Sequence, residues 1–237
     1  MSNTRTLLQL RTAVVTRGQY EHSNDINPVG DPSLLNDFIN EAIAEIYDLI
    51  VQKWADYYTV SSTTSIVSGT DSYALPTDFY KLRKVEILMS GSNGDPNARW
   101  RRLRPHDLEA RHLYSQYGLI AKGYRYRLQA GNIVLVPVPA SAETIRMFYI
   151  PFSTRLSADG DTFDGINNYE ELVIHTALLR CKRREELPTD DIEREIARLT
   201  ARIRTAADGR DAAEPFYLSP GGPMGDDDEG GSGGSWW

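Results

Sequence analysis

Helix-forming and strand-forming segments are segregated along this chain instead of alternating. Apolar residues recur every three or four positions from Leu35 to Trp54, the spacing of one helix about six turns long. The middle of the chain is rich in threonine, serine, tyrosine and valine, and helical spacing returns after Asn168. Segregation of this kind indicates the α+β class. We therefore expect a helical bundle from both chain ends, with an inserted antiparallel β-rich block and an extended C-terminal tail.

Breakers and capping residues place the helix ends. A short helix over 6–15 should stop at Gly18, and the long helix should begin with Asp31 as its cap and Pro32 at its first position. Asn168, followed three residues later by Glu171, predicts the start of a third helix, and Pro188 should break it. A fourth helix should then run from 189 to 207. These signals divide the chain into 1–56 and 166–209 as bundle helices, 57–165 as the β-rich insert and 210–237 as an extended arm.

Within the insert, strands are expected over 57–67, 72–75, 81–89, 100–103, 124–129, 132–136 and 143–150. Gly69-Thr70-Asp71 should return the first of them onto the second, and Ala130-Gly131-Asn132 should form a tight hairpin. Residues 75–80 are expected to form a short helical turn, and 105–117 a short helix. Pro137 should end the strand that precedes it and keep that strand at a sheet edge or terminus.

Composition narrows the classes of function. The formal net charge of −7 over 237 residues argues against general affinity for nucleic acid. The single cysteine, Cys181, excludes an intramolecular disulfide and suggests a reducing compartment. No apolar run resembles a signal peptide or a membrane span, so we expect a protein that is soluble and intracellular when made, without membrane contact.

Catalytic and metal-binding patterns are missing from the sequence. The four histidines, His22, His106, His112 and His175, have no ligand spacing. Asp159-Gly160-Asp161 with Asp164 lacks the closing glutamate of a calcium loop and is better interpreted as a polar turn. Cys181 stands among cations that could lower its pKa, although a structural thiol is the simpler interpretation. We expect no enzyme activity, no metal and no cofactor.

A basic stretch between 99 and 127 is the most unusual charge feature. It holds eight cations against two acids, and tyrosines are interleaved with them. The stretch could contact nucleic acid, dock an acidic partner or another copy, or be a solvated face. Six arginines form the candidate patch facing a partner or DNA: Arg99, Arg101, Arg102, Arg104, Arg125 and Arg127.

The tail from Pro220 consists mainly of glycine, serine and aspartate, so it has little to bury and should be disordered alone. It carries an acidic run at 226–229 and ends in Trp236 and Trp237. A flexible arm with an aromatic tip suits docking on another molecule, and the acidic run offers a counter-charge to a basic surface of another copy. The alternative is that the GGSGGS stretch is an engineered linker.

A motif in the β-rich insert resembles head-to-tail adaptor (connector) proteins of tailed bacteriophages, most closely the podovirus tail-accessory group. The segment at 64–85 contains Leu75-Pro76-Thr77-Asp78-Phe79 between two strands, and Asn40-Glu41-Ala42 and Glu45-Ile46-Tyr47 in the preceding helix are also similar. The likeness in layout spans 31–208, and it does not extend to 90–165 in detail or to the tryptophan tail.

The resemblance implies a virion structural protein of the neck, made in the host cytoplasm. Such adaptors form a ring, in this family of twelve copies, between the portal and a tail or nozzle protein. The ring extends the DNA channel and closes the filled head, and DNA passes through without sequence-specific binding. On this view the tail is a portal-binding arm whose contacts come from Trp236, Trp237, Phe216 and Tyr217. The free protein is expected to be a monomer. The alternative is a nucleic-acid-binding regulator that uses the basic region from Arg99 to Arg127.

Overall fold

Four helices and eight strands make up the described part of the chain, which in this computed structural model comprises residues 5–20, 32–54, 56–109, 123–163 and 169–208. The α+β class is confirmed. The helices are α1 (Leu7–Gly18), α2 (Ser33–Lys53), α3 (Glu170–Arg184) and α4 (Asp190–Asp208). The strands are β1 (Val60–Ile66), β2 (Ser72–Ala74), β3 (Phe79–Ser90), β4 (Arg99–Arg102), β5 (Arg104–Pro105), β6 (Arg125–Gln129), β7 (Asn132–Val136) and β8 (Glu143–Pro151).

Local capping explains where the first helices begin. The Thr6 hydroxyl accepts a hydrogen bond from the backbone of Gln9, and the Gln9 side chain accepts one from the backbone of Thr6, which completes a capping box. Helix α2 begins one residue later than expected, because Pro32 occupies the N-cap position. The other expected caps, Asp31 and Asn168, lie outside the described residues.

One hydrophobic cluster contains side chains from all four helices. Its members include Leu10 of α1, Ile39 of α2, Val173 of α3 and Ile203 of α4, each at most 2% exposed. The apolar spacing that predicted these helices therefore also predicted the faces that pack. The loop that follows β8 contributes Leu156 to the same cluster.

The eight strands form two four-stranded sheets. The first has the order β1-β8-β3-β4 and the second β2-β7-β6-β5; every pair is antiparallel except β5 with β6. Their facing sides enclose a core of eight buried side chains: Ile66, Val85, Ile87, Leu103, Ile133, Leu135, Ile145 and Met147. The hairpin between β6 and β7 is confirmed, since Ala130 and Gly131 both have positive φ and Gln129 pairs with Asn132. Strand β7 ends just before Pro137, as expected. It is not an edge strand, however, because it lies between β2 and β6.

The expected return of the first strand onto the second is wrong. Strand β1 pairs with β8, whereas β2 pairs with β7 in the other sheet. The turn between them changes sheets, and the Tyr73 hydroxyl holds it by donating to the Thr70 carbonyl oxygen and accepting from the Val67 amide. The corner lets Ile66 and Tyr73 approach the same core from opposite sides.

Two expected helical segments are also corrected. Within 75–80 the chain forms only a turn at 76–79, closed by a 3.1 Å hydrogen bond from the Phe79 amide to the Pro76 carbonyl, and β3 begins directly at Phe79. The expected helix at 105–117 starts instead inside β5, and residues 106–109 are not helical. Residues 110–122 lie outside the described residues.

Candidate interaction surfaces

Strand alternation distributes the six predicted arginines over different faces. Arg101 lies opposite Ile87, a core residue, so its position is on the inner side of the first sheet; Arg102 lies opposite Glu86, on the outer side. At Leu103, which is buried, the chain passes from the first sheet to the second. Arg104 and Arg125 are then partners across β5 and β6. Sequence proximity therefore does not make these residues one patch.

The outer face of the first sheet carries a row of stacked cations and rings. The Arg146 guanidinium carbon lies 4.1 Å from the centre of the Trp100 ring and 5.0 Å from that of Phe148, and the Lys84 Nζ atom lies 4.6 Å from the Phe148 ring. These contacts join β4, β8 and β3 through cation–π attraction. Lys84, Arg146 and Phe148 were not singled out in the sequence, although each alternates with buried neighbours in its strand.

Glu86 pairs with two cations on this face. It is 2.6 Å from the Lys84 Nζ atom and accepts a 2.9 Å hydrogen bond from Arg146. Burial alone would raise the pKa of the Glu86 carboxyl, but the hydrogen bonds from Lys84 and Arg146 outweigh it, so the pKa is lowered. The face therefore presents rings and a carboxylate shared by two cations, and Arg102 on the same side adds a further positive charge.

The outer face of the second sheet carries Arg104, Arg125 and Arg127, which we call the arginine face. Arg127 lies two residues beyond Arg125 and opposite Val134, so all three share one side. Tyr126, between them, points to the core; burial raises its pKa, against a smaller lowering by Arg102. Three cations therefore occupy neighbouring positions on this side of the second sheet.

An aromatic junction connects α2 to the first sheet. Ile150 of β8 is buried against Tyr47 and Val51, and the Tyr47 hydroxyl donates a 2.7 Å hydrogen bond to the Pro151 carbonyl. A cavity of about 220 Å³ lies beside them, lined by Tyr47, Tyr58, Pro151, Phe152, Ser153, Thr154, Thr162 and Phe163. The junction sets the position of the sheets relative to the helices.

The motif at 75–79 acts at the same junction. Asp78 accepts a 2.9 Å hydrogen bond from the Tyr149 hydroxyl, and the Phe79 and Tyr149 rings stack with centroids 5.7 Å apart. The Asp78 carbonyl also accepts a hydrogen bond from the Phe152 amide. These residues therefore have a structural task, which is to fasten the start of β3 to the end of β8.

The acidic turn at 159–161 is used within the fold. Asp161 accepts hydrogen bonds from the backbone amides of Ser157 and Ala158, which lower the pKa of its carboxyl, and Asp159 is paired with Arg11. Among the described residues, no group of three His, Cys, Asp or Glu side chains could hold a metal ion. Asp164 lies outside that part of the chain.

Cys181 is fully buried, and its surroundings do not activate it. Burial raises the pKa of the thiol to about 12, and Glu185 adds to the effect, whereas Arg184 opposes it only weakly. The lowered pKa considered from the sequence is thus wrong, and the structural interpretation of this residue agrees with its burial. No described helix is long and apolar enough to cross a bilayer.

The four predicted arm residues, Phe216, Tyr217, Trp236 and Trp237, lie outside the described residues. The same is true of Arg111 and Lys122 from the basic stretch, and of His22 and His112. Their predicted roles therefore stay predictions.

A protein-family model described as the SU10 adaptor protein matches residues 5–221 of the chain. The match spans all four helices and both sheets, as well as the junction between them. No curated protein gives a match to the chain.

Proposed function

We propose, since this chain belongs to the SU10 adaptor protein family, that it is a virion structural protein acting as the adaptor between the head and the tail of a bacteriophage. The observation that carries the proposal is the family match over 5–221. The motif at 75–79, which lies within that match, is the segment through which the sequence resembles head-to-tail adaptors.

The finer part of the proposal concerns assembly. Copies form a ring, of twelve in the related adaptors, between the portal protein and a tail or nozzle protein at the virion neck. The ring continues the DNA channel and closes the filled head, and the DNA passes through without sequence-specific binding. The role requires no catalytic activity. The protein is made in the host cytoplasm before it assembles.

The domain plan supports this role. Helices from both chain ends share one hydrophobic cluster, and the two sheets enclose a second one. We propose that 1–56 and 166–209 form one helical bundle and that 57–165 is inserted into it as a β block. Ile150 and Tyr47 couple the two parts, so the β block is held at a fixed position for contacts to a tail protein.

The tail at 210–237 is proposed as the portal-binding arm. Each buried tryptophan ring removes roughly 150–250 Å² from water, worth roughly 4–6 kcal/mol before ordering costs at about 25 cal/mol per Å². Trp236 and Trp237 would insert into apolar pockets of the portal, and Phe216 and Tyr217 would add contacts nearer the body. Repetition around a ring makes individually weak contacts durable.

Co-sedimentation with purified portal particles tests both levels of the proposal. The full chain should bind the portal. A variant lacking 235–237, and the variant Trp236→Ala/Trp237→Ala, should bind at least tenfold more weakly with an unchanged thermal unfolding curve. The variant Ser232→Ala/Ser235→Ala in the same tail is the control and should bind normally. Unchanged binding of the tryptophan variants would overturn the arm, and no binding by the full chain would overturn the adaptor role.

A further inference from the structure

Strand β1 lies at the edge of the first sheet among the described strands, and its sequence lacks the usual protection of an edge. It has seven residues, Val-Ser-Ser-Thr-Thr-Ser-Ile, with no charge, proline or glycine. Its pairing with β8 runs from Val60 to Ile66 without a bulge. Soluble proteins usually place charges, prolines or bulges on an edge strand, because its unpaired backbone groups can pair with another chain.

The other three edge strands are protected or short. Strand β4 carries three arginines, and its pairing with β3 shifts between Leu88 and Ser90. Strand β5 has two residues and ends at Pro105, and β2 has three residues. Among the described strands, β1 is therefore the edge to which a further strand is added most readily.

Solvent reaches β1 along most of its length. Ser61, Thr63 and Ser65 are exposed. Apolar side chains are exposed at both ends of the strand, since Val60 is 42% exposed and Val67, directly after the strand, is 58% exposed. A partner strand that covered both ends would remove this apolar surface from water.

The β1 sequence is complementary to itself when two copies run antiparallel. Pairing centred on one residue gives these opposed residues: Thr63 with Thr63, Val60 with Ile66, Ser61 with Ser65, and Ser62 with Thr64. Branched apolar residues then meet at both ends, hydroxyl residues meet between them, and no like charges are opposed. Cross-strand pairs of these kinds stabilise antiparallel strands.

The same register keeps the core sides of the two copies together. Val60, Ser62 and Thr64 lie on the core side of β1, because the β8 residues opposite them are buried; Ile66, on that side as well, is only 1% exposed. Opposed residues of an antiparallel pair point to the same side, so Val60 of one copy meets Ile66 of the other on the core side. A shift of one residue would put the two cores on opposite sides of the joined sheet.

We propose that two copies of the free protein pair through their β1 edges, in the register centred on Thr63. Two four-stranded sheets then form one sheet of eight strands, which ends on both sides at the arginine-bearing β4. A contact that uses the same surface of both copies closes as a pair and does not build a ring. The pair is therefore the state before assembly, in place of the monomer expected from the sequence, and it does not depend on the adaptor role.

Sedimentation equilibrium of the full chain tests the pairing. The mass should reach two copies and no further. Thr63→Lys and Thr63→Glu each place like charges directly opposite one another, so each variant alone should pair at least tenfold more weakly, and an equimolar mixture should recover pairing. Ser72→Lys, at an exposed position of the edge strand β2, is the control and should pair normally. The mass of one copy at every concentration, or undiminished pairing of both Thr63 variants, would overturn the proposal.

Disulfide cross-linking tests the register. Directly opposed Cα atoms of antiparallel strands lie about 4.5–5.5 Å apart, a distance that a disulfide can span. Thr63→Cys should therefore cross-link to itself under mild oxidation, whereas Cys181, which is 0% exposed, should not react.

Two flanking positions provide the matched comparison. Ser61→Cys and Ser65→Cys should cross-link with each other in a mixture. Each alone should cross-link at least tenfold more slowly than Thr63→Cys, because the two equivalent positions are then about 13 Å apart. Self-cross-linking of Ser61→Cys at the rate of Thr63→Cys would overturn the register.

Misfolding and failure of the adaptor role give different results from failure of this contact. A misfolded Thr63 variant would not regain pairing in the mixture, so recovery shows that the opposed charges caused the loss. A mixture that stays unpaired while both variants keep the melting curve of the original chain would overturn the proposal. Failure of the original chain to bind portal particles would overturn the adaptor role and leave the sedimentation and cross-linking results as the test of the pair.

Discussion

The Arg146 guanidinium lies 4.1 Å from the centre of the Trp100 ring and donates a 2.9 Å hydrogen bond to Glu86. One side chain thereby connects β8, β3 and the edge strand β4. Because β4 is at the edge of its sheet among the described strands, this contact should be important for keeping it in place.

We expect Trp100 and Arg146 to be energetically coupled. A double-mutant cycle with Trp100→Leu and Arg146→Met should give a coupling energy of about 0.5–2 kcal/mol in urea unfolding, since the pair is partly shielded from water. Trp100→Leu combined with Arg127→Met, on the other sheet, is the control and should be additive. Additivity in both cycles would mean that the stacking contributes nothing measurable.

Asn40 should be needed to hold the loop after β8 against α2. Its side chain accepts a 2.8 Å hydrogen bond from the Leu156 amide and donates a 3.0 Å bond to the Leu156 carbonyl, and both bonds are buried. Asn40→Ala leaves two buried backbone groups without their partner, so we expect a loss of about 1–3 kcal/mol for each in the free energy of unfolding. Chemical denaturation measures it.

Gln52, exposed on the same helix, provides the control for Asn40. Gln52→Ala should change the free energy of unfolding by no more than about 0.5 kcal/mol. Equal effects of the two substitutions would show that the bonds to Leu156 are replaced by water at no cost.

His175 should make the protein less stable in mild acid. Burial lowers the pKa of its imidazole, and the charges of Arg17 and Arg198 lower it further. The carboxylates of Glu195 and Glu171 raise this pKa, but they do not outweigh the lowering. In the unfolded chain the His175 imidazole therefore takes up a proton near its ordinary pKa of 6.5. In the folded protein it does so only at a lower pH. By linkage, the free energy of unfolding falls as the pH drops below about 6.5.

His175→Gln should flatten this dependence. Melting temperatures recorded from pH 8 to pH 5 should decline less for the variant than for the original protein, and the comparison at pH 8, where both side chains are neutral, corrects for any loss of packing. Parallel declines would assign the acid sensitivity to other groups.

Cys181 should not react in the folded protein. It is 0% exposed and the pKa of its thiol is raised to about 12. At pH 8 the thiol is therefore neither accessible to a reagent nor ionised. We expect labelling only after unfolding in denaturant. Ser92→Cys, at an exposed loop position, is the control and should be labelled at once in the folded state.

Short-range patterns were sufficient for much of the architecture. The apolar spacing of α2, the breaker at Pro188 and the Ala130-Gly131 turn predicted two helices and a hairpin that the structure contains. These signals work because they depend on residues within a few positions of each other. The motif at 75–79 likewise predicted a family that the match over 5–221 confirms.

Strand pairing and the composition of the arginine face could not be obtained in that way. Whether β2 returns onto β1 or crosses to β7 depends on a core to which residues far apart in the chain contribute, such as Ile66 and Ile133. Arg102 and Arg104 are two residues apart and lie in different sheets, because Leu103 enters the core between them. No pattern within 99–104 marks that change of sheet.

The sequence by itself determined the α+β class, most of the helices and strands and the resemblance to phage adaptors, because backbone preference and amphipathic period are local properties. Only the tertiary structure decided which strands are neighbours, which arginines share a face and which carboxylates are already paired. Those features follow from burying apolar side chains from distant segments together, and that burial determines on which side of each sheet a charge is left.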